Sequence, residues 1–518
     1  MAASANPDQN RAWVMAVSTD AHEVFRRIDS LFKPPHSSSL DHFLKAVVSG
    51  KKGFKRRICA GIVSTFDLQN LRPFEILRRF FCSFTGCAFW KYHNFFATMM
   101  DSLPDAIIQQ ILSHISHARD VASCSCVSKR WKDCIPYSPS LYFPRNAFHS
   151  VSDADAIISR IVSIVMRLEE LVVYCPFSTS SLASWISLHN RSLRILELRM
   201  DSAVDKFFGS RAEGNGDRVD CIGAAHNLEA LKLWGVSLTR SPNWGVFKKL
   251  RSLAIIGAAL CDDAVKDTIQ ACPNLTDLAL LSCDGVTTLS IELECLERCR
   301  LDFLGPGHCS LSVSSMRLQV LEIQGFSWVR VNRNHKLRSL CISKNTGRLY
   351  GVDTGKLMDL EHLSLRGVQW SWNAISSVLQ CASDVKHLVM KIEFCGDFET
   401  LQPFPEIDLV EFFNNHPKLK TLEIHGAMFA ALCQKNSLKK LDSNFVIPNL
   451  EEVLVTVRSP LNAEQKLNTL ESLVDFSVKL RKMVIRISQM KNCHETADDF
   501  FEEICRFKHL NNDIVHIE

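Results

Sequence analysis

Leu228-Glu229-Ala230-Leu231-Lys232-Leu233 sets a pattern, Leu-x-x-Leu-x-Leu, that returns along most of the chain. Clear copies occupy 193–198, 250–255, 275–280, 318–323, 337–342, 360–365 and 419–424, several with Ile in the last place. Weaker copies begin at Leu168, Leu296, Val385, Leu450 and Leu480. Neighbouring copies are mostly about 19–25 residues apart, and a few intervals near 30–35 predict loop or helix insertions. Side chains alternate across a strand, so the leucines of one copy share a face. A single strand cannot bury that face alone; stacking successive copies buries it in a common core.

The stretches between copies carry helices. Residues 262–271 read as a helix up to Cys272-Pro273-Asn274-Leu275, and 407–415 as one up to His416-Pro417-Lys418-Leu419. Proline cannot continue a helix interior, so it stops the helix and hands the chain to the next strand. Residues 462–478 and 498–507 read as helices that cap the C-terminal end of the stack. The spacing falls in the leucine-rich-repeat range of about 20–29 residues. The expected fold is therefore α/β, with a leucine-rich-repeat solenoid (a horseshoe) over 150–518. The Asn that usually follows the strand is mostly missing, which predicts irregular loops.

Ahead of the array lies 101–134, DSLPDAIIQQILSHISHARDVASCSCVSKRWKDC. Pro104 at a helix start loses no needed N–H and presets a helical φ. Ser102 suits the cap, and Asp105 adds negative charge to the first turn. Ile107, Ile108, Ile111, Leu112 and Ile115 follow at helical spacing and make one wide apolar face. A polar hinge, Ser116-His117-Ala118-Arg119-Asp120, separates it from a second segment with Val121, Cys124, Val127 and Trp131. Leu-Pro-x-x-Ile-Ile-x-x-Ile-Leu-Ser, then Val-Ser-Lys-Arg-Trp, resembles the F-box, the adaptor-binding module of SCF-type ubiquitin ligases. The hinge is slightly longer than in most family members. With the array behind it, and Cys272-Pro273-Asn274-Leu275 as a repeat junction common there, the chain resembles plant F-box/leucine-rich-repeat proteins.

That resemblance implies a small helical F-box at 99–146 and the solenoid at 150–518. Residues 1–98 then form an N-terminal extension, poorly ordered or optional. Pro34-Pro35-His36-Ser37-Ser38-Ser39 reads as a linker and 21–32 as a short helix. Met99 and Met100 stand directly before Asp101, so translation starting there would leave 1–98 out. Lys51-Lys52-Gly53-Phe54-Lys55-Arg56-Arg57 is a basic cluster that could act as a nuclear-import signal or be a solvated run.

The composition is that of a globular protein, 46% hydrophobic and 22% charged in 518 residues, too long for one core. A formal net charge of +4 is near balance and argues against a dedicated nucleic-acid surface. The N-terminus has no basic segment leading into an apolar one, so no secretory signal is read. The longest apolar run, 80–90, is too short to span a bilayer. The 20 cysteines are scattered, which suits reduced, half-buried thiols. The expected location is nucleus, cytoplasm or both.

No stretch supports an active site. Gly351-Val352-Asp353-Thr354-Gly355-Lys356 is one residue short of a phosphate loop, and Leu357 replaces the Mg²⁺-binding Ser or Thr. Gly305-Pro306-Gly307 lacks the third glycine of a dinucleotide fingerprint. Cys124 and Cys126, Cys295 and Cys299, and Cys82, Cys87 and His93 have no second pair at zinc spacing. Cys493-His494-Glu495 has no placed base or oxyanion donor. No cofactor and no metal are expected.

The strand residues between the leucines point away from the core. They include Arg199, Lys232, Trp234, His362, Arg366, Lys391, His425 and Arg486, with Glu197, Glu322 and Glu423 interspersed. Exposed Trp and Arg are typical binding anchors, so Trp234, Arg366, Lys391 and His425 are the expected target contacts. Trp328, Trp370 and Trp372 are expected to pack between repeats. The resemblance implies adaptor contacts, or their immediate support, at Leu103, Pro104, Ile108, Ile111, Leu112, Val127 and Trp131. It implies a non-catalytic substrate receptor that binds a Skp-type adaptor, through it a cullin ligase, and an unidentified target protein. Target ubiquitination and proteasomal degradation follow, with no nucleic acid or membrane involved. The alternatives are a repeat scaffold without ligase assembly and a ligand-dependent co-receptor, the latter marked by a basic pocket from Arg366, Lys391 and His425.

Overall fold

The computed structural model describes residues 103–148, 150–201, 219–304, 309–333, 335–394, 404–488 and 494–518. The expectations for 1–98, for Met99 and Met100, and for Ser102 as a helix cap lie outside the described residues. The chain divides into two compact units between Cys175 and Pro176.

The first unit is helical at its start. Helix α1 (Asp105–Ser113), α2 (Ala118–Cys124) and α3 (Lys129–Cys134) lead through a 3₁₀ turn (Ile135–Tyr137) into strand β1 (Ser140–Phe143). Helix α4 (Val151–Ile164) and strand β2 (Glu170–Val173) complete it, with β1 and β2 parallel. The expected second helical segment is in fact two helices. Ser128 breaks it: its hydroxyl accepts from the Trp131 N–H and caps α3. The hinge is shorter than expected, because Arg119 and Asp120 already belong to α2.

The second unit opens with α5 (Thr179–His189), which Ser178 caps. The strands that follow are β3 (Ile195–Arg199), β4 (Ala230–Trp234), β5 (Ser237–Leu238), β6 (Ser252–Ile256) and β7 (Ala259–Leu260). Helix α6 (Asp262–Gln270) precedes β8 (Asp277–Cys283), β9 (Thr288–Glu292), β10 (Arg298–Phe303), β11 (Ser310–Ser314) and β12 (Val320–Gln324). Then come β13 (Trp328–Asn332), β14 (Ser339–Lys344), β15 (Gly351–Asp353), β16 (His362–Trp370), α7 (Trp372–Cys381) and β17 (His387–Phe394). The remainder is α8 (Leu409–Asn415), β18 (Thr421–His425), α9 (Gly426–Leu432), β19 (Glu452–Val457), α10 (Ala463–Asp475), β20 (Lys482–Ile487), α11 (His494–Leu510) and β21 (Val515–Ile517).

Within this unit one parallel sheet runs β3-β4-β6-β8-β10-β12-β14-β16-β17-β18-β19-β20-β21. Each copy of the leucine pattern from 193 onward supplies one of its strands, and the register aligns the leucines. Leu196, Leu231, Leu253, Leu278, Cys299, Leu321, Leu340, Leu363, Leu388, Leu422, Val453 and Met483 form one buried row across it. The two C-terminal helices stand where the sequence places them, as α10 and α11. Each is followed by another strand, so the sheet ends on β21.

A smaller parallel sheet, β15-β13-β11-β9, lies in the alternate segments, and β5 pairs with β7. The near-phosphate-loop stretch is the edge strand β15 followed by irregular chain, and Leu357 is buried. No helix follows it closely enough to cradle a phosphate.

Glycine, not Asn, turns the chain after many main-sheet strands. Gly367 has φ +113°, and a Cβ there would collide with the Lys344 carbonyl. Lys344 occupies the equivalent place one strand earlier and turns inward. Its ammonium, fully buried, donates to the Gly325 carbonyl at 2.6 Å and the Ser327 hydroxyl at 3.1 Å. Burial holds its pKa below the ordinary lysine value.

Candidate functional site

In the first unit the apolar residues of α1 separate into two sets. Ile108 and Leu112 are buried with Val121, Trp131 and Cys134, and these make the module's own core. Leu103, Ile107 and Ile111 are half-buried at spacings of four residues, and Pro104 is exposed. Ile107 and Ile111 share one flank of α1, with Leu103 and Pro104 just ahead of the helix and Val127, 40% exposed, in the turn before α3. Of the adaptor positions taken from sequence, Leu103, Pro104, Ile111 and Val127 are therefore open to a partner, and Ile108, Leu112 and Trp131 support them from inside. Ile107 was missed as a contact, although it stands one helical turn before Ile111.

The open flank is held rigidly. The Pro104 carbonyl accepts the N–H groups of Ile107 at 2.9 Å and Ile108 at 3.2 Å, which starts the helix. Arg130 on α3 reaches back to Asp105 through Nη2 at 2.5 Å and Nε at 3.2 Å. Tyr142 on β1 donates its N–H to the Ser116 carbonyl at 2.6 Å and sets its ring edge-on to His117.

In the second unit the residues that alternate with the buried leucines of the main sheet also form rows, open to solvent at most positions but covered at Ala279 and Val484. One row is Glu197, Lys232, Ala254, Ala279, Arg300, Glu322, Cys341, Ser364, Val389, Glu423, Leu454, Val484 and His516. Two residues further along, Arg199, Trp234, Ile256 and Leu281 are adjacent at one side of the sheet. Arg366 pairs in register with Lys391 at the other, and His425 with Thr456 beyond them. Five strands separate Trp234 from Arg366, about 29 Å at the spacing of neighbouring strands. The four target residues read from sequence thus make two separate groups.

Both groups are tied to their own neighbours. The Trp234 indole donates to Glu197 at 2.8 Å, Lys232 pairs with the same carboxylate at 2.9 Å, and the Lys232 ammonium sits 4.7 Å from the indole centre. In the other group Lys391, at 2.6 Å, and His425, at 3.1 Å, share one oxygen of Glu423. Burial pushes the Glu423 carboxyl up, but hydrogen bonds from Lys391 and His425 outweigh that and hold it below its ordinary value. Burial lowers the His425 pKa against the pull of Glu423, so the ring is neutral near pH 7. Arg366 turns its Nε to the Ser364 hydroxyl at 2.9 Å. The expected basic pocket is consequently one open Arg366 beside a neutralised Lys391 and an uncharged His425, which weighs against the co-receptor reading.

Trp370 is fully buried, as expected of a packing residue; Trp328 is not, being 53% exposed on β13. The described cysteines are free thiols, and burial pushes Cys124 and Cys299 up to about 12. Among the described residues no group of three or more His, Cys, Asp or Glu is placed to hold a metal ion, and no helix is long and apolar enough to cross a membrane.

Comparison with known proteins bears on the first unit most directly. The F-box-like family model matches residues 100–144, which span α1 to β1. The F-box protein At1g10780 of Arabidopsis thaliana is 57% identical over 422 residues, covering 81% of this chain and 100% of that protein. The F-box/LRR-repeat protein At1g67190 of the same plant is 25% identical over 194 residues, 35% of this chain and 44% of its own length.

Proposed function

The chain belongs to the F-box protein family, and on that premise we propose that it is the substrate-recognition subunit of an SCF-type ubiquitin ligase. Residues 99–146 dock on a Skp-type adaptor, which links to a cullin and a ubiquitin-conjugating enzyme. The strand-rich array, a leucine-rich-repeat solenoid over 150–518, holds a target protein that is then ubiquitinated and degraded by the proteasome. The chain contributes no catalytic group. It supplies proximity, raising the effective concentration of the target at the charged conjugating enzyme. The action takes place in the nucleus, the cytoplasm or both.

The observation that carries this reading is the apolar surface left by the half-buried Leu103, Ile107 and Ile111, with Pro104 and Val127 exposed, beside a core of Ile108, Leu112, Val121, Trp131 and Cys134. An exposed apolar ridge backed by a packed core suits a partner helix laid against it. The test is capture of a purified Skp-type adaptor by the full chain. Leu103→Ala with Pro104→Ala is expected to weaken capture by about 30-fold or more, near 2 kcal/mol, with thermal stability little changed. Unchanged capture rules the ligase reading out. The target itself is sought by proximity labelling with and without proteasome inhibition, where degraded partners accumulate only under inhibition.

A further inference from the structure

The smaller sheet of the second unit has one buried face and one outer face. Its inner residues, Leu289, Ile291, Leu311, Val313, Val329, Val331 and Val352, are buried. Its outer residues include hydroxyls and amides in register, Thr288 beside Ser310, Ser290 beside Ser312, and Ser314 beside Asn332, together with Glu292, Arg330 and Asp353. One large ring stands among them. Trp328 is 53% exposed and stacks on Tyr350, with ring centres 5.6 Å apart and planes 16° from parallel. It lies across the neighbouring strand, because a Cβ on Gly351 would meet the indole at 2.7 Å. Glycine at 351 thus lets the ring lie flat as an open plate.

Trp328, Arg330 and Asn332 alternate on the same face, so the row extends about 13 Å along β13. At its far end opens a cleft of about 390 Å³, lined by Asn332, Asp353, Thr354 and Lys356 among others. That volume is within the range of small-ligand sites, roughly 300–1,000 Å³. The charges along the row are paired: Arg330 with Asp353 at 3.3 Å, and Arg333 with Glu294 at 3.0 Å. Exposed Glu292 and Lys356 add one charge of each sign, so a strongly charged partner meets little net field here. A protein partner would need an apolar interface centre, and among the described residues of this face the large exposed apolar ones are Trp328 and, at the cleft, Met358. The chemistry that fits is a flat ring with an apolar C–H face and a rim of hydroxyls.

We propose that the outer face of the β9–β11–β13–β15 sheet binds a short carbohydrate chain. A pyranose ring stacks on Trp328, and the following sugars hydrogen-bond along Ser312 and Asn332 into the cleft at Asp353 and Lys356. This surface is independent of adaptor capture and of the main sheet.

The experiment titrates the full chain with cellotetraose, chitotetraose and tetragalacturonate, read by calorimetry and by saturation-transfer NMR. At least one neutral sugar is expected to bind saturably, with magnetisation transferred to its ring C–H protons. Trp328→Ala should weaken that binding by roughly tenfold, equivalent to about 1.4 kcal/mol. Asn332→Ala, at an exposed position, should weaken it less and serves as the second variant if Trp328→Ala melts early. The proposal is overturned if no sugar binds up to about 20 mM. Equal binding by both variants and the parent chain also overturns it. So does binding confined to tetragalacturonate and abolished at about 0.5 M salt, which would mark simple ion pairing.

Discussion

The flank of α1 and the row from Arg366 to His425 are both solvent-facing, yet their chemistry is opposite. On α1, Ile107 and Ile111 keep part of their apolar surface open to solvent. On the main sheet Lys391 and His425 share Glu423, and the indole of Trp234 is engaged by Glu197 and Lys232. A surface that has satisfied its own charges gives little by binding another charge, because it must first break what it has. A surface with uncovered apolar area gains on every contact. In the proposed role the α1 side is therefore the ready-made interface, and the sheet would select a partner through shape and through its few open groups, Arg300 and Arg366 among them.

Three changes break or sharpen this contrast. The largest effect is expected beneath the open flank. Trp131 is 3% exposed, and its indole N–H has no hydrogen-bond partner among the described residues. Trp131→Ala should cost about 3–5 kcal/mol in denaturant unfolding of the first unit. Trp131→Phe should cost clearly less, since it keeps a ring and removes the orphaned donor. Equal losses would mean that the indole N–H is satisfied in solution.

Next is a pH effect in the second unit. His416 is buried; its Nδ1 lies 2.7 Å from the Phe412 carbonyl and its Nε2 3.2 Å from that of Leu379. Burial lowers its pKa below 6.5 against the raising effect of those carbonyls. The unfolded chain then binds the proton first, so the stability is full above about pH 6.5 and falls as pH drops toward the folded pKa. The slope is at most about 1.4 kcal/mol per pH unit for this proton. Thermal melts between about pH 7.5 and 5.5 should show that loss, and His416→Phe should flatten part of it. An unaltered slope in the variant would assign the loss to other histidines, such as His387 and His425, whose pKa values burial also lowers.

The smallest change tests the closed row. Glu423→Gln removes the carboxylate that Lys391 and His425 share, at a cost of about 1 kcal/mol or less, because the pair is partly exposed. It leaves Lys391 without its ion pair and should raise retention of the chain on an acidic resin at low salt. Unchanged retention would show that the row is not held closed by Glu423.

Much of this architecture is legible in the sequence. The spacing of leucines places every strand of the main sheet in the second unit except β21, where the sequence predicts only capping helices, and the prolines at 273 and 417 follow α6 and α8 as their chemistry requires. The small sheet was overlooked although its signal exists: Leu289 and Ile291, Leu311 and Val313, Val329 and Val331 alternate with polar residues, but the louder leucine period masked them. Glycines with positive φ, just after the strand at 235, 257, 325 and 426 and at the irregularity inside β16 at 367, stand in for the missing Asn. At the site, helical spacing identifies the apolar residues of α1 but does not divide core from flank, because Ile107 and Ile108 are chemically identical. Pairing of Lys391 with Glu423 was hidden for a deeper reason. The two residues lie on different strands, and only the register brings them together.

The most direct measurement compares the affinity of a purified Skp-type adaptor for four full-length proteins: the parent chain, Ile111→Ala, Leu103→Ala with Pro104→Ala, and Trp234→Ala. The account predicts saturable binding by the parent, a loss of about tenfold for Ile111→Ala and more for the double variant. Trp234→Ala should bind as the parent does. Equal affinities across all four, or no binding by the folded parent chain, would contradict it.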